Sequence, residues 1–302
     1  DTRVRTGLEV RGENALRDSM GYGNGVYKST DAGKTWTHLG LDDTHHIGKI
    51  AVDPRNPDIV FVAAIGNLYT ATPHRGVYRS TNGGKSWQKV LFTNDNVGAA
   101  EVVIDPTDST VVYAGLWNTR RPPWYAYAPT NGPGGGIYKS TDGGSTWKPL
   151  TNGLPATGIG RTGIAVAPSN PRRVYAVVDC LVPEPAVPGA TPAAAPAAAP
   201  AAAPAAARPG GAFAPPPPAQ GGLFRSDDAG ATWTRLSSDQ ALWGRGWYFE
   251  KVTVDPKNAD VVYVPNVAVS RSMDGGTTWV TLRGSPGGDD YHQAWVSPDD
   301  SN

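Results

Sequence analysis

The chain has 302 residues, and its 27 Lys and Arg balance its 27 Asp and Glu, so the formal net charge is zero. This balance excludes the broad basic surface that nucleic-acid binding normally needs, and no stretch approaches the roughly 20 apolar residues of a membrane span. The 37 Gly, 28 Pro, 10 Trp and 12 Tyr, against 5 Phe and 2 Met, indicate turns and aromatic-rich strands rather than a helical bundle. The single cysteine, Cys180, excludes an internal disulfide framework and a multi-cysteine metal site. Because the first residue is Asp, we expect a fragment whose true start lies upstream.

Two short patterns alternate along the chain. The first, S-x-D-x-G-x-T-W, occurs five times, with Asn replacing Asp and Ser replacing Thr in the second copy; the copies are 29–36, 80–87, 140–147, 226–233 and 272–279. The second is an apolar strand that ends at a proline and is followed by a V-Y or V-F strand; its copies are 50–61, 102–113, 164–175, 252–263 and a shortened one from residue 294. Proline ends the first strand because it cannot donate to a ladder and favours a turn.

Each unit is therefore predicted to contain four short strands, which in the second unit are 49–53, 58–64, 76–80 and 86–91. Four antiparallel strands repeated every 40 to 60 residues are typical of a β-propeller blade. The first strand of each unit is almost continuously apolar, as expected for a strand packed between neighbouring blades. The predicted fold is all-β, a β-propeller of four-stranded antiparallel blades.

The spacing predicts one propeller fragment over residues 1–302. It divides into a partial blade at 1–39, four blades at about 45–91, 99–150, 161–236 and 249–282, and a partial blade at 291–302. Residues 181–220 interrupt the third full blade, and they hold 12 of the 28 prolines in repeated Pro-Ala-Ala-Ala. Such a stretch can neither pair as a strand nor bury a core, so we predict a disordered or polyproline-II insertion.

The S-x-D-x-G-x-T-W pattern resembles the Asp-box, also called the bacterial neuraminidase repeat. Its pairing with the proline-ended strands resembles the sortilin-type and xyloglucanase-like propellers of large exported bacterial proteins, and the propeller of photosystem II assembly factors. The resemblance covers nearly the whole chain apart from the Ala/Pro-rich insertion. It implies export to the periplasm or exterior, whereas function stays open because the same hairpin serves sialidases, xyloglucanases, sorting receptors and assembly factors.

The carboxylates of the first pattern are predicted to build turns. Ser and Asp two residues apart can hydrogen-bond to the backbone of their own turn, and Gly at the fifth position supplies a left-handed residue. We therefore interpret five residues as structural and expect the five hairpin tryptophans to be mostly buried; the five structural residues are Asp31, Asn82, Asp142, Asp228 and Asp274.

A ligand site is expected on the opposite face of the propeller, where the irregular loops lie. Those loops combine aromatic rings with Arg and His, which suits sugar or peptide recognition because rings stack on apolar faces and charges fix orientation. The ligand-binding candidates are His45, His46, Arg75, Arg120, Arg121, Trp124, Arg161, Trp247, Tyr248, Tyr291 and His292.

Three carboxylates are weak catalytic candidates: Glu250, Asp289 and Asp290. Aligning the units places Gly48, Ala100, Thr162, Glu250 and His292 just before the inner strands, so Glu250 and His292 are expected to be neighbours. Such a pair can serve as an acid and base, a metal corner or an ion pair, of which the ion pair fits best. The adjacent His45 and His46 lack a metal-binding spacing, and neither a metal nor a cofactor is predicted.

Two functions remain open. The first is a non-catalytic module that binds a protein, peptide or carbohydrate on the irregular face, with further blades or domains of the parent chain as partners. The second is a glycoside hydrolase of the xyloglucanase or sialidase type, which needs two suitably spaced carboxylates. The Arg-Ile-Pro motif of sialidases is missing, and we favour binding or scaffolding over hydrolysis.

Overall fold

The computed structural model describes residues 7–10, 21–121, 132–181, 219–282 and 290–299. Within these ranges, nearly all regular structure is β, and each sheet is antiparallel with its strands in chain order. One 3₁₀ turn, Asp42–Thr44, and one short helix, α1 at Gln240–Trp243, interrupt the strands.

In the part of the chain that the structure describes, five sheets follow one another. The first has three strands, and each of the other four has four. They are β1 (Gly7–Val10), β2 (Val26–Ser29) and β3 (Thr37–His38); β4 (Ile47–Val52), β5 (Val60–Ala64), β6 (Gly76–Ser80) and β7 (Gln88–Leu91); β8 (Val97–Ile104), β9 (Val112–Asn118), β10 (Gly136–Ser140) and β11 (Lys148–Leu150); β12 (Thr162–Val166), β13 (Val174–Val178), β14 (Gly222–Ser226) and β15 (Thr234–Ser237); and β16 (Thr253–Val254), β17 (Val262–Pro265), β18 (Val269–Ser272) and β19 (Val280–Leu282).

The sheets pack face to face through their apolar strands. Phe61 and Ala63 of β5 share a core with Val112 and Ala114 of β9, and equivalent cores join the third sheet to the fourth and the fourth to the fifth. The innermost strands β4, β8, β12 and β16 contact one another in sequence. Strands β5 and β13 are buried at every residue, because each lies between two other sheets. This arrangement confirms the predicted all-β propeller fold.

The eight-residue hairpins join the third strand of each sheet to the fourth. In the fourth sheet, Ser226 Oγ donates to Asp228 Oδ1 at 2.7 Å and accepts from the Gly230 N–H at 2.8 Å. Asp228 also accepts from the backbone N–H and hydroxyl of Thr232, and Trp233 Nε1 donates to the Gly230 carbonyl. The same hydroxyl-to-side-chain bond recurs in the other copies, from Ser29 to Asp31, Ser80 to Asn82, Ser140 to Asp142 and Ser272 to Asp274.

The expectation that all five hairpin tryptophans are mostly buried is wrong for one of them. Trp36 is 40% exposed, whereas Trp233 is only 5% exposed and the other three are partly buried. The difference arises because the hairpins of the second to fifth sheets lie against the preceding sheet, and no described sheet precedes the first hairpin.

The long insertion leaves the fourth sheet between β13 and β14. Its two arms are held side by side, because the Gly221 N–H donates to the Cys180 carbonyl at 2.9 Å and Val178 pairs with Gly222. Cys180 is buried. Of the predicted disordered stretch at 181–220, residues 182–218 lie outside the described residues.

Candidate functional site

Two kinds of loop form one face of the propeller, which we call the irregular face. They are the loops after the second strand of each sheet, such as 65–75, and the connections between sheets, such as 39–46 and 238–252. The hairpins and the proline turns form the opposite, regular face. Three residues of the irregular face, His45, Arg245 and Glu250, have positive φ angles of 54°, 63° and 77°, and Ala32 and Ala229 in the hairpins of the regular face have positive φ angles as well.

Aromatic side chains line the irregular face. The ring centroids of Tyr22 and Tyr69 are 6.3 Å apart, and those of Trp247 and Tyr248 are 5.3 Å apart. The His292 ring lies edge-on to Tyr248 at 4.4 Å. Tyr69 and Trp247 both pack on one apolar cluster, which consists of Ile65, Leu68, Ala100 and Trp117. We call Tyr22, Tyr69, Trp247, Tyr248 and His292 the aromatic row.

Trp247 reaches this cluster from the connection between the fourth and fifth sheets. The connection is anchored by α1, whose N-cap Asp239 accepts from the Ala241 N–H at 2.9 Å. Trp243 is buried, and its Nε1 donates to the Ser238 carbonyl at 3.0 Å. The connection then carries Trp247 over to residues of the second and third sheets, where it packs on a cluster that includes Ala100 of the inner strand β8.

A charged group lies on the inner strands below the aromatic row. Glu101 of β8 is almost fully buried, and its carboxylate oxygens lie 2.7 Å from Lys49 Nζ and 2.8 Å from Lys251 Nζ. Burial alone would raise the pKa of Glu101, but the two ammonium groups outweigh it and hold that pKa below its usual value. Burial lowers the pKa of Lys251 to about 8. Two cations thus neutralise Glu101, which leaves it poorly suited to proton transfer.

A second polar group lies where the fourth and fifth sheets meet. Arg161, Thr162, Asp179 and Glu250 are each at most 2% exposed. Both carboxylate oxygens of Glu250, Arg161 Nη1 and Thr162 Oγ1 have no hydrogen-bond partner among the described residues. Buried polar atoms are nearly always paired, so these unpaired ones make the group a candidate site.

Glu250 is the most unusual member of this group. Its left-handed backbone is rare for a side chain of this size, and such strain is often concentrated at functional sites. Its carbonyl lies against Gly163, where an added Cβ would come within 2.5 Å of that oxygen. Burial and then the nearby Asp179 raise the pKa of Glu250 well above its usual value, although Arg161 opposes them. Glu250 therefore keeps its proton to a higher pH than an exposed glutamate does.

The structure brings several predicted site residues together and gives others a structural role. Trp247, Tyr248 and His292 meet in the aromatic row, and Arg161 lies beside Glu250. The ion pair expected between Glu250 and His292 is not formed, since both carboxylate oxygens of Glu250 lack a hydrogen-bond partner among the described residues; the His292 ring stacks on Phe249, at 5.3 Å between centroids.

Two of the predicted arginines are engaged by the backbone. Arg75 is fully buried, and it donates to the carbonyls of Ile65 and Asn67. Arg121 is also buried, and its backbone N–H donates to the Leu68 carbonyl at 2.9 Å. These bonds shape the loop that carries Tyr69.

The remaining candidates lie around the edge of the site. His45 and His46 contact Tyr22, and Arg120 donates to Asn96 Oδ1. Asp290 and Tyr291 are partly buried near the last sheet. Trp124 and Asp289 lie outside the described residues. Gly48 and Ala100 lie within β4 and β8 beside register shifts, rather than just before these strands.

Sequence reasoning missed Asp179, Tyr22, Tyr69 and the two lysines that pair with Glu101. Asp179 directly follows the apolar strand β13 at its irregular-face end, and this position is a signal that the sequence contained. Within the described ranges, no three His, Cys, Asp or Glu side chains are grouped so that they could hold a metal ion. No helix in these ranges is long and apolar enough to cross a membrane.

Comparison with known sequences supports this reading of the fold. A family model described as Sortilin, neurotensin receptor 3 (Sortilin-Vps10) matches residues 24–157. A xyloglucanase from Paenibacillus sp is 27% identical over 142 residues, which cover 42% of this chain and 12% of that protein. A probable oligoxyloglucan-reducing end-specific xyloglucanase from Neosartorya fischeri is 27% identical over 247 residues, which cover 80% of this chain and 22% of that protein. The chain thus spans less than a quarter of these relatives.

Two solved structures show the same fold. An ancestral GH74 enzyme has a TM-score of 0.62 at 18% identity, with coverage of 97% of this chain and 33% of that chain. The GH74 xyloglucanase from Xanthomonas campestris has a TM-score of 0.51 at 16% identity, with coverage of 89% and 35%. The chain is therefore a β-propeller that resembles the sortilin-type and xyloglucanase propellers.

Proposed function

We propose that this chain is a non-catalytic glycan-binding part of an exported protein, and that it holds a polysaccharide on its irregular face. The observation that supports this proposal best is the aromatic row, which offers several partly exposed rings along one surface. Aromatic rings stack on the apolar faces of sugars, and hydrogen-bonding groups beside them fix orientation. The xyloglucanase relatives act on a polysaccharide of this kind, which makes a β-glucan the first ligand to test. A polysaccharide ligand also favours a location outside the cytoplasm.

The binding test compares tryptophans on the two faces. We expect the chain to bind soluble xyloglucan by isothermal titration calorimetry, and Trp247→Ala to weaken binding about tenfold or more, because a well-placed stacked ring contributes about 1–3 kcal/mol. Trp36→Ala is the matched control, since it removes an exposed tryptophan on the regular face. Equal losses in both variants, or no binding to any polysaccharide in a panel, would overturn the proposal and favour a protein or peptide ligand.

A second candidate function is glycoside hydrolysis, and the state of Glu250 favours it. A carboxylic acid with a raised pKa can protonate the glycosidic oxygen as the bond breaks, while a second carboxylate, here Asp179, takes a proton from the attacking water. This role requires the substrate to reach groups that the connection at 238–252 now covers.

Hydrolysis is tested by the release of reducing ends from xyloglucan. If Glu250 is the acid, Glu250→Gln lowers the rate by a factor of 100 or more, on the order expected for loss of general acid catalysis. Asp43→Asn serves as the control, because Asp43 is an exposed carboxylate on the same face. If the native chain binds xyloglucan but releases no reducing ends, hydrolysis is refuted and glycan binding remains the proposed function.

A further inference from the structure

A short segment carries two rings of the aromatic row, and we call its residues 245–250 the strap. Its middle is a closed turn, because the backbone N–H groups of Tyr248 and Phe249 both donate to the Arg245 carbonyl, at 2.8 and 3.1 Å. Its two end residues, Arg245 and Glu250, both have positive φ. Such a backbone is uncommon for a residue with a side chain and stores strain. The strap is therefore a compact turn between two strained residues.

The chain on either side of the strap is held in place. Before it, Asn266 Nδ2 donates to the Gly244 carbonyl at 3.1 Å. After it, Lys251 Nζ lies 2.8 Å from a carboxylate oxygen of Glu101 on β8. Movement between these two anchors is confined to the strap, so it displaces Trp247 without unfolding a sheet.

The strap lies against the buried polar group, where Gly246 contacts Asp179. A Cβ added at Gly246 would come within 2.5 Å of both Cβ and Oδ2 of Asp179. The backbone of Asp179 is itself fixed, because its N–H donates to the Arg161 carbonyl at 3.1 Å and its carbonyl accepts from the Gly160 N–H at 2.7 Å. Only glycine allows this close approach, and the contact sets the position of Trp247 in the next residue.

The charges beneath the strap balance only when Glu250 is protonated. The groups that face Glu250 are Asp179, Arg161 and Lys251, and Lys251 is bound to Glu101. Both carboxylate oxygens of Glu250 lack a hydrogen-bond partner among the described residues. When Glu250 ionises, two carboxylates share the Arg161 guanidinium among residues that are each at most 2% exposed. Burial and like charge both disfavour this state, so ionisation of Glu250 opposes the seated strap.

We propose that the strap is a pH-dependent latch on the glycan site, which stays seated while Glu250 is protonated and lifts when Glu250 ionises. Lifting brings the Glu250 carboxylate to water and relieves the positive φ at both ends of the strap. It also takes Trp247 and Tyr248 out of the aromatic row, so the affinity for glycan falls as the pH rises. This regulation rests on the proposed glycan binding, whereas the movement of the strap does not.

Movement of the strap is tested without glycan, by fluorine NMR of the chain labelled with fluorotryptophan. The resonance missing from Trp247→Phe belongs to Trp247, and we expect it to shift with a midpoint above the usual glutamate pKa of about 4.3. The Trp36 resonance, assigned in the same way, should stay constant, which shows that the shift is not global unfolding. Glu250→Gln should abolish the shift, and Asp43→Asn, which changes an exposed carboxylate on the same face, should preserve it.

Two further variants locate the source of the shift. His292 is a second titratable group, because it packs on two rings of the strap, and His292→Gln should keep the midpoint. Loss of the titration in this variant would assign the switch to His292 and overturn the proposal. Gly246→Ala should hold the Trp247 resonance at its high-pH position at every pH, because the added Cβ cannot lie against Asp179.

Binding of xyloglucan is measured separately by calorimetry. Affinity should be about tenfold or more lower at about pH 8 than at about pH 4, because only the seated fraction binds, and Glu250→Gln should remove the difference. A Trp247 resonance that does not respond to pH, or a titration that survives in Glu250→Gln, would overturn the latch. Equal affinity at both pH values beside a titrating resonance would overturn its role in binding. A titrating resonance with no xyloglucan binding at any pH would support the latch and refute glycan binding.

Discussion

The two faces of this propeller treat carboxylates in opposite ways. On the regular face, Asp228 accepts hydrogen bonds from Ser226 and Thr232, and these bonds lower its pKa to about 2, with the Thr232 side chain contributing most. On the irregular face, both carboxylate oxygens of Glu250 lack such donors and burial raises its pKa. The hydrogen bonds that Asp228 accepts stabilise its turn. The buried, unpaired carboxylate of Glu250 instead lowers the stability of the fold.

This contrast separates the turn-building carboxylates from Glu250, the candidate site residue, by their surroundings rather than their sequence. A row of equivalent aspartates in a repeat suggests a site, yet each of these aspartates accepts hydrogen bonds from its own turn. Several unpaired polar atoms instead lie at Glu250 and its neighbours Arg161 and Thr162, and Glu250 belongs to no repeat. The candidate site is therefore singled out by departures from the repeat rather than by the repeat itself.

The largest expected effect is on the charged group below the aromatic row. Glu101→Ala leaves Lys49 and Lys251 without their shared partner, and breaking a buried ion pair on one side costs about 3 kcal/mol. The free energy of unfolding in urea at neutral pH measures this loss. Lys49→Ala should cost less, because the Lys49 side chain is 37% exposed and Glu101 keeps Lys251. A loss of less than about 1 kcal/mol in the free energy of unfolding for Glu101→Ala is what solvent-exposed ion pairs contribute. Such a result would show that this group stabilises the fold no more than a surface ion pair does.

A smaller effect is expected on the regular face. Asp228→Ala removes the acceptor of three hydrogen bonds in a hairpin that lies against the preceding sheet. We expect the free energy of unfolding to fall by about 1–2 kcal/mol, as it does on loss of a helix N-cap. Asp31→Ala removes the same set of bonds from the first hairpin, which no described sheet precedes. It should lower the free energy of unfolding less in the same urea titration. Equal losses at both positions would mean that contact with the preceding sheet does not make these hairpins more important for stability.

The smallest effect, and the most specific, concerns pH. The pKa of Glu250 is higher in the folded chain than in the unfolded one, so the folded state binds its proton more tightly. Its contribution to stability is therefore complete below the usual carboxyl pKa of about 4.3 and is lost as the pH rises through the raised value. Glu250→Gln should remove this decline and leave the variant as stable as the native chain, or more so, at neutral pH. Asp43→Asn should keep the decline, and an identical pH profile for Glu250→Gln would refute the raised pKa.

Much of the fold follows from the sequence, because each strand and turn is encoded locally and repeated. The strands predicted at 76–80 and 86–91 occur as Gly76–Ser80 and Gln88–Leu91, and the Ser-Asp pairs bond within four residues of each other. The site is harder to predict because it depends on contacts between distant segments. Lys251 and Glu101 are 150 residues apart in sequence, and their contact depends on how the sheets curve around the inner strands. The sequence identifies Trp247 as an aromatic residue in a loop, but it does not reveal the apolar cluster on which Trp247 packs.

The paired arms of the insertion have a practical consequence. Since the Gly221–Cys180 hydrogen bond closes the stem, the fourth sheet is complete whatever length of chain lies between the arms. The entropy of closing a loop grows only slowly with its length, so replacing residues 182–218 should be tolerated. This position opens onto the face that carries the aromatic row. It therefore offers a natural place to graft a reporter dye, a purification handle or a second binding domain beside the candidate site.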